Sequence, residues 1–449
     1  MKGFTDERNY VVELLDGGTT IEDAIENHIY EQALAEKNAF VVANLGALMR
    51  QHVVWQSTMP LVRPFYPVKC NRSPAVIEIL AALGVGFVCS NKTELSMVLN
   101  HDVPTENIIL SGVCKQLSHI KYAAKNGINY LVCDNEADLC KIARAHPNAK
   151  LLLQLSTESQ AEEASMVFGC SVKRCRHLLE TARELGMDVI GVVFQVPSCK
   201  DPQVYTHALA DARCVFDMAE ELGFHMEILD IGGGFGTSEF QLKQTHAAVI
   251  PLLEAHFPVV SAVHIIAEPG TFYVSSCFTL AVNVIGKKMV ARDLHGKCIF
   301  LFHFNLLFIP LKFSAERTST DEPEFLYYLN EGVYGSFVGK LLGNTVPSPT
   351  VHKTFTADEP GFFSSLWGPS CDALDQVVEH CLLPELTVGD WLIFKNMGAS
   401  GQEEAGTIGD AQKPPVYYAI STGDWFEMQK SGISLDNPMK NFSLVQYGL

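Results

Sequence analysis

Between residues 60 and 270, short apolar runs rich in β-branched and aromatic residues alternate with longer stretches whose apolar positions fall three and four apart. These are the periods of strand and helix. The runs are Pro64–Val68, Gly86–Cys89, Asn107–Ser111, Asn129–Cys133, Lys150–Leu155, Val189–Phe194, Glu227–Ile231 and His264–Ala267. The stretches between them, such as CRHLLETARELG and HALADARCVFDMAEELG, close on Gly186 and Gly223, and glycine readily takes the left-handed conformation that ends a helix. Eight parallel strands with crossover helices predict a (β/α)8 barrel of the TIM type. Past Phe272 the helical period fades into strand-like text: FTLAVNVIGKKMV, EFLYYLNEGVYGSF, DWLIFKN and VYYAIS. A second, mainly antiparallel β domain is expected there. The run NAFVVANL also reads as a strand of that domain, which makes the barrel an insertion: residues 1–45 and 276–449 form the β domain and 46–275 the barrel.

Composition narrows the setting. At 449 residues, with 47% hydrophobic and 19% charged positions, the chain has enough apolar material for two buried cores. The thirteen cysteines show no disulfide-framework or zinc spacing, and MKGFTDERNY lacks the apolar segment of a signal peptide, so a reducing, cytoplasmic location is expected, with nuclear entry left open. A net charge of -18 argues against binding nucleic acid or an anionic membrane surface. The longest apolar run, Cys298–Pro310, contains His303 and Asn305 and falls short of the roughly 20 residues of a membrane helix.

In a TIM-type barrel, chemistry sits at the C-terminal ends of the strands. The first run leads into Lys69, the seventh into Gly232, Gly233 and Gly234, and the eighth into Glu268 before Pro269 and Gly270. A lysine for an aldimine, glycines for a phosphate and a carboxylate for a ring nitrogen are parts of a pyridoxal-phosphate site. Singly each has an ordinary explanation: a solvated lysine, a tight turn, a structural acid.

With these residues in place, PFYPVKCN, CKQLSHIKYAAKNG, ADARCVFDMAEELGF, LDIGGGF, AEPG, FTLAVN, EGVYGSF, SSLWGPSCDALD and VGDWLIFKNMGA make the chain resemble the eukaryotic ornithine decarboxylase family along nearly its whole length. That resemblance implies an alanine-racemase-like barrel followed by a β domain. It also assigns Lys69, Glu268, Cys371 and Asp372 to positions that are active-site residues in the decarboxylases. The departures point the other way. Val88 stands for an aspartate, Gln154 for an arginine, Gln195 for the histidine that stacks on the cofactor, Thr271 for a phosphate-binding arginine and Ser400 for a phosphate-binding tyrosine. A tyrosine–aspartate pair of the family falls on Leu342 and Gly343, and VPSCKD is shorter than the family's loop. Losing two charge-assisted phosphate contacts costs roughly 10² to 10⁴ in affinity. The expectation is therefore a catalytically inactive member without pyridoxal phosphate, in which Lys69, Glu268, Cys371 and Asp372 are vestigial. The alternatives are an active decarboxylase of ornithine, lysine or arginine, and a protein that keeps the cofactor without turnover.

The resemblance is strongest to the inactive branch of the family that binds antizyme, and it implies release of ornithine decarboxylase from inhibition and degradation. The family's antizyme-binding element maps onto Lys115–Arg144, with Lys115, Gln116, Lys121, Tyr122, Lys125, Lys141 and Arg144 as candidate contacts. Between Lys115 and Lys150 six basic residues stand against three acidic ones in an otherwise acidic chain. A solvated outer face of the barrel would have the same composition. Cys140 stands where the antizyme-binding relatives carry lysine. Cys371 belongs to a homodimeric site in the decarboxylases, so a monomer or weak dimer is expected here. The Cys298–Pro310 run replaces a loop that is polar in relatives and would be sticky if exposed. The chain ends at Leu449 without the relatives' degradation tail, so turnover by that route is not expected.

Overall fold

The computed structural model describes residues 10–34, 36–112, 115–157, 168–196, 203–258, 262–292, 298–300, 324–341, 346–352, 360–370, 372–399 and 413–430. The chain divides into two compact units, one built mainly on Leu45–Ser275 and the other on Val11–Asn44 with Ser276–Gly423.

Elements are numbered along the chain. The first are β1 (Val12–Leu15), α1 (Ile21–Leu34), β2 (Phe40–Asn44) and α2 (Leu45–Thr58). Strand and helix then alternate: β3 (Arg63–Pro67), α3 (Pro74–Ala82), β4 (Gly86–Cys89), α4 (Lys92–Leu99), β5 (Ile108–Leu110) and α5 (Leu117–Lys125). The alternation continues with β6 (Tyr130–Cys133), α6 (Glu136–Ala145), β7 (Lys150–Leu155), α7 (Val172–Glu184), β8 (Asp188–Phe194) and α8 (Gln203–Glu221). It ends with β9 (Ile228–Asp230), α9 (Glu239–His256), β10 (His264–Ala267) and α10 (Gly270–Val274). Strands β3 to β10 close into a parallel barrel, sealed where β10 pairs with β3 through Ile266 and Arg63. The predicted eight-stranded barrel is thus present. Its interior is filled by Phe65, Val88, Ile109, Val132, Leu152, Ile190, Val193, Ile228 and Ile266, drawn from all eight strands. Because helices cover the outside, the strands are buried on both faces, which explains their continuous apolar text. Gly186 and Gly223 end α7 and α8 with φ of +67° and +85°, as expected of helix stops.

The second unit holds β1, α1 and β2 together with β11 (Phe278–Arg292), β12 (Cys298–Phe300), β13 (Phe325–Leu329), β14 (Thr350–Val351) and β15 (Phe362–Trp367). Then follow β16 (Gln376–Leu383), β17 (Trp391–Phe394) and β18 (Val416–Ser421). The strands form one sheet in the order β1-β18-β2-β11-β13-β15-β16, with β12 and β17 also paired to β11 and β14 to β17. Most pairings are antiparallel, as predicted; β1 with β18, β18 with β2 and β13 with β15 are parallel. The NAFVVANL strand lies inside this sheet, Phe40–Ala43 pairing with Phe278–Ala281. Its core packs Ile25 and Ile29 of α1 against Phe40, Val42, Ala281, Trp391, Ile393 and Ala419. Of the apolar run Cys298–Pro310, Cys298–Phe300 pairs with Val290–Arg292, and the remainder lies outside the described residues. Among the described residues no helix is long and apolar enough to cross a membrane.

Candidate functional site

The mouth of the barrel collects the residues that the strand ends supply. β3 runs into a 3-10 turn, Val68–Cys70, which leaves Lys69 exposed. β10 leads into Glu268, buried at 7% exposure, and β8 ends beside Gln195, half-buried. The Gln195 amide donates from Nε2 to Glu268 Oε1 at 2.8 Å, while its Oε1 accepts the Gly233 N–H at 3.3 Å. One side chain therefore links the carboxylate of the eighth barrel strand to the glycine run after the seventh. The Gly232 carbonyl accepts the Glu268 N–H at 2.7 Å, fixing the same two segments through the backbone. Gly232 has φ of +69°, and a Cβ there would meet the Phe194 carbonyl oxygen at 2.2 Å, so glycine is required on both counts.

Beneath this network lies a residue that strand-end reading missed. Asp230, the last residue of β9, is 1% exposed; its Oδ1 accepts the Gly232 N–H at 2.9 Å and its carboxyl is hydrogen-bonded to Glu268. Burial, and then the Glu268 charge, push Asp230 well above the usual carboxylate range. Burial also raises Glu268, opposed by the charge of Lys69 and by hydrogen bonds from Gln195 and Asp230. The pair thus shares a proton, carried on Asp230 and directed to Glu268. The signal was available in LDIGGGF: an acid on a strand otherwise buried and apolar must be paired or protonated.

The other expected positions divide. Val88 is part of the apolar layer inside the barrel, and Gln154 at the end of β7 is 8% exposed. Thr271 is exposed, and its hydroxyl donates to the Gly236 carbonyl at 3.3 Å. Ser400, Cys371, Leu342 and Gly343 lie outside the described residues. In the second unit Asp372 is exposed and does structural work: Oδ2 accepts the Tyr334 hydroxyl at 2.5 Å and Oδ1 the Leu374 N–H at 3.0 Å. The Leu374 N–H and then Tyr334 hold Asp372 below the usual carboxylate range, and donation to Asp372 pushes Tyr334 up to about 12. Asp375 joins the same two stretches, accepting N–H groups from Val333 at 2.8 Å and Ser370 at 3.0 Å.

A basic surface covers α5 and α6. Gln116, Lys121, Lys125 and Arg144 are exposed; Tyr122, Cys140 and Lys141 are half-buried. Lys92 of α4 places its Nζ 5.2 Å from the Tyr122 ring centroid, a cation–π contact that adds another cation to this face. Lys115 is not on it. Its side chain is 0% exposed, with Nζ 2.7 Å from Asp138 Oδ2 and 2.8 Å from the Gly112 carbonyl oxygen. Lys141 completes the cluster, its Nζ 2.9 Å from Asp138 Oδ1 and 2.6 Å from the Lys115 carbonyl oxygen. Asn135 caps α6 by accepting the Asp138 N–H at 2.8 Å, which fixes the backbone of the helix's first turn from which the buried Asp138 side chain projects. Lys115 thus anchors the element from inside, because its charge is already neutralised where no partner can reach it.

Comparison with known proteins agrees with this fold. Residues 45–275 match the model of the pyridoxal-dependent decarboxylase family, pyridoxal binding domain. The chain is similar to antizyme inhibitor 1 of Pongo abelii, at 54% identity over 99% of this chain and 96% of that protein. It is also similar to ornithine decarboxylase of Mus musculus, at 44% identity over 96% of this chain and 91% of that protein. Among solved structures, the Paramecium bursaria Chlorella virus arginine decarboxylase bound to agmatine aligns with a TM-score of 0.74 at 27% identity, covering 88% of this chain and 99% of that one. The lysine/ornithine decarboxylase of Vibrio vulnificus complexed with cadaverine gives 0.72 at 26% identity, covering 89% and 99%.

Proposed function

The chain belongs to the pyridoxal-dependent decarboxylase family, and from that premise we propose that it is a non-catalytic member that binds antizyme. By occupying antizyme it releases ornithine decarboxylase from inhibition and degradation, and so raises polyamine synthesis and uptake. The observation that carries this reading is the ordering of similarity: 54% identity to antizyme inhibitor 1 across nearly the whole chain, against 44% to ornithine decarboxylase. The basic face of α5 and α6, with Lys121, Lys125 and Arg144 exposed, supplies a surface that an acidic patch on a protein partner would recognise.

In this reading the barrel mouth does not suit pyridoxal phosphate. A bound ring would place its nitrogen donor at Glu268, where the Gln195 amide already donates at 2.8 Å, and a phosphate at the glycine run would compete for the Gly233 N–H that Gln195 Oε1 accepts. Neither Val88 nor Gln154 carries a charge, and Thr271 offers a hydroxyl where a guanidinium would be needed. Lys69 is then a solvated lysine, and the protein works as a monomer or weak dimer.

The test is carbon dioxide release from labelled ornithine by antizyme-inhibited ornithine decarboxylase, titrated with this protein. Activity is expected to return as the protein is added, with none from the protein alone. A flat titration overturns antizyme binding, and release by the protein alone overturns the non-catalytic assignment. Borohydride reduction after incubation with pyridoxal phosphate is expected to leave Lys69 unlabelled; a labelled Lys69 overturns loss of the cofactor.

A further inference from the structure

We infer that Cys170 and Cys175 form a redox-modification site, a thiol pair that closes to a reversible intramolecular disulfide on meeting a hydroperoxide. Their Sγ atoms lie 3.0 Å apart, so a disulfide at its usual 2.03–2.05 Å requires an approach of about 1 Å. A β-bridge to the barrel sheet and a helix hold them at that distance. Cys170 extends the barrel sheet: its N–H donates to the Gln154 carbonyl at 2.9 Å, and its carbonyl accepts the Ser156 N–H at 3.0 Å. Gly169 permits the close approach, since with φ of +80° a Cβ there would sit 2.5 Å from the Leu155 carbonyl carbon. Cys175 lies in the first turn of α7, its N–H donating to the Ser171 carbonyl at 3.2 Å.

The two thiols are not equivalent. The hydrogen bond from Cys175 holds Cys170 below the ordinary thiol range, while that hydrogen bond and then burial push Cys175 far up. Cys170 is therefore the nucleophile and Cys175 the resolving thiol. Both are buried, which limits the oxidant to a molecule as small as hydrogen peroxide. The Cys170 thiolate attacks one peroxide oxygen, breaking the O–O bond to give a sulfenic acid and hydroxide. The Cys175 sulfur then attacks the sulfenic sulfur, and its proton with the departing hydroxyl forms water. Two thiols lose two electrons and two protons, and the peroxide is reduced to two waters.

Lys173 and Arg174 stand between the two cysteines, so trypsin separates them and a disulfide is read as a link between two peptides. The folded full-length protein is treated with a few-fold excess of hydrogen peroxide, alkylated under denaturing conditions and digested. Expected is a dithiothreitol-sensitive link between the Cys170 and Cys175 peptides, with loss of both alkylation labels. The link should be absent from Cys170→Ser and Cys175→Ser. Cys214, exposed on α8, is the rival partner, and Cys214→Ser should leave the link unchanged while keeping the pair intact. Recovery of both cysteines alkylated, or of Cys175 joined to Cys214, overturns the assignment in the wild-type protein itself.

Discussion

Asp138→Asn removes one negative charge from the point where two ammonium groups converge. The substitution keeps the side-chain shape and leaves the Asp138 N–H bonded to Asn135 Oδ1, so its effect isolates the charge. Lys141, at 34% side-chain exposure, can turn its ammonium to water when the carboxylate is gone. Lys115, at 0%, cannot; it keeps the Gly112 carbonyl at 2.8 Å and at most a neutral amide oxygen in place of the carboxylate, with no counter-charge. Breaking a buried ion pair by removing one partner costs about 3–5 kcal/mol. For a unit of this size that corresponds to a fall in melting temperature of roughly 6–20 °C. Thermal and urea unfolding of the wild type and the variant measure it directly. The double variant Lys115→Met/Asp138→Leu is expected to recover most of the loss, since well-packed apolar residues replace a buried pair at little or no cost. Antizyme binding by that double variant should be close to wild type, because neither charge faces the partner. An Asp138→Asn protein within about 1 kcal/mol of wild type would refute the reasoning: the Lys115 ammonium would then reach water and be available for contact.

The remaining predictions concern the barrel mouth and the basic face. A buried carboxyl with a raised folded-state pKa contributes stability that is fully present below its unfolded pKa and lost as pH rises through its folded pKa; Asp230 is such a group. Asp230→Asn keeps an acceptor for the Gly232 N–H and a donor for Glu268 without a titrating proton, so it should gain stability relative to wild type as pH rises above about 4, near the ordinary aspartate value. Urea unfolding at a series of pH values checks this, and parallel profiles would contradict it. Lys121→Glu with Lys125→Glu should lower the association rate with antizyme at least about tenfold at low salt, with less effect at high salt and no change in melting temperature. Cys140→Lys should tighten antizyme binding up to about fivefold, the range of one exposed ion pair, as read by surface plasmon resonance.

The barrel was readable from the sequence because parallel strands covered on both faces leave continuous apolar text: each of the eight runs overlaps its strand, and Gly86–Cys89, Lys150–Leu155 and His264–Ala267 coincide with theirs. Lys69 and Glu268 could be placed by counting from those strand ends, and Gln195 through the family resemblance. Contacts between distant residues could not. Gln195 and Glu268 are 73 positions apart, and nothing local marks an amide on one strand as the donor to a carboxylate on another. Lys115 read as one more surface cation because a charge count carries no direction; its partner Asp138 lies 23 residues on, buried in the first turn of α6.

Gln195, which the family resemblance sets in the place of a histidine, shows why such contacts decide the interpretation. From the sequence it is a subtraction, a stacking ring lost from a cofactor site. In three dimensions it is also an addition. Glu268 is buried, and in the proposed cofactor-free state no ring nitrogen would donate to it; a buried carboxylate left without donors costs more than a neutral group in the same position. The Gln195 amide supplies one donor and Asp230 a second, while Gln195 Oε1 satisfies the Gly233 N–H. Glu268 and the glycine run are thereby held by the chain's own hydrogen bonds. Burial alone accounts for this arrangement, which needs no catalysis to explain it.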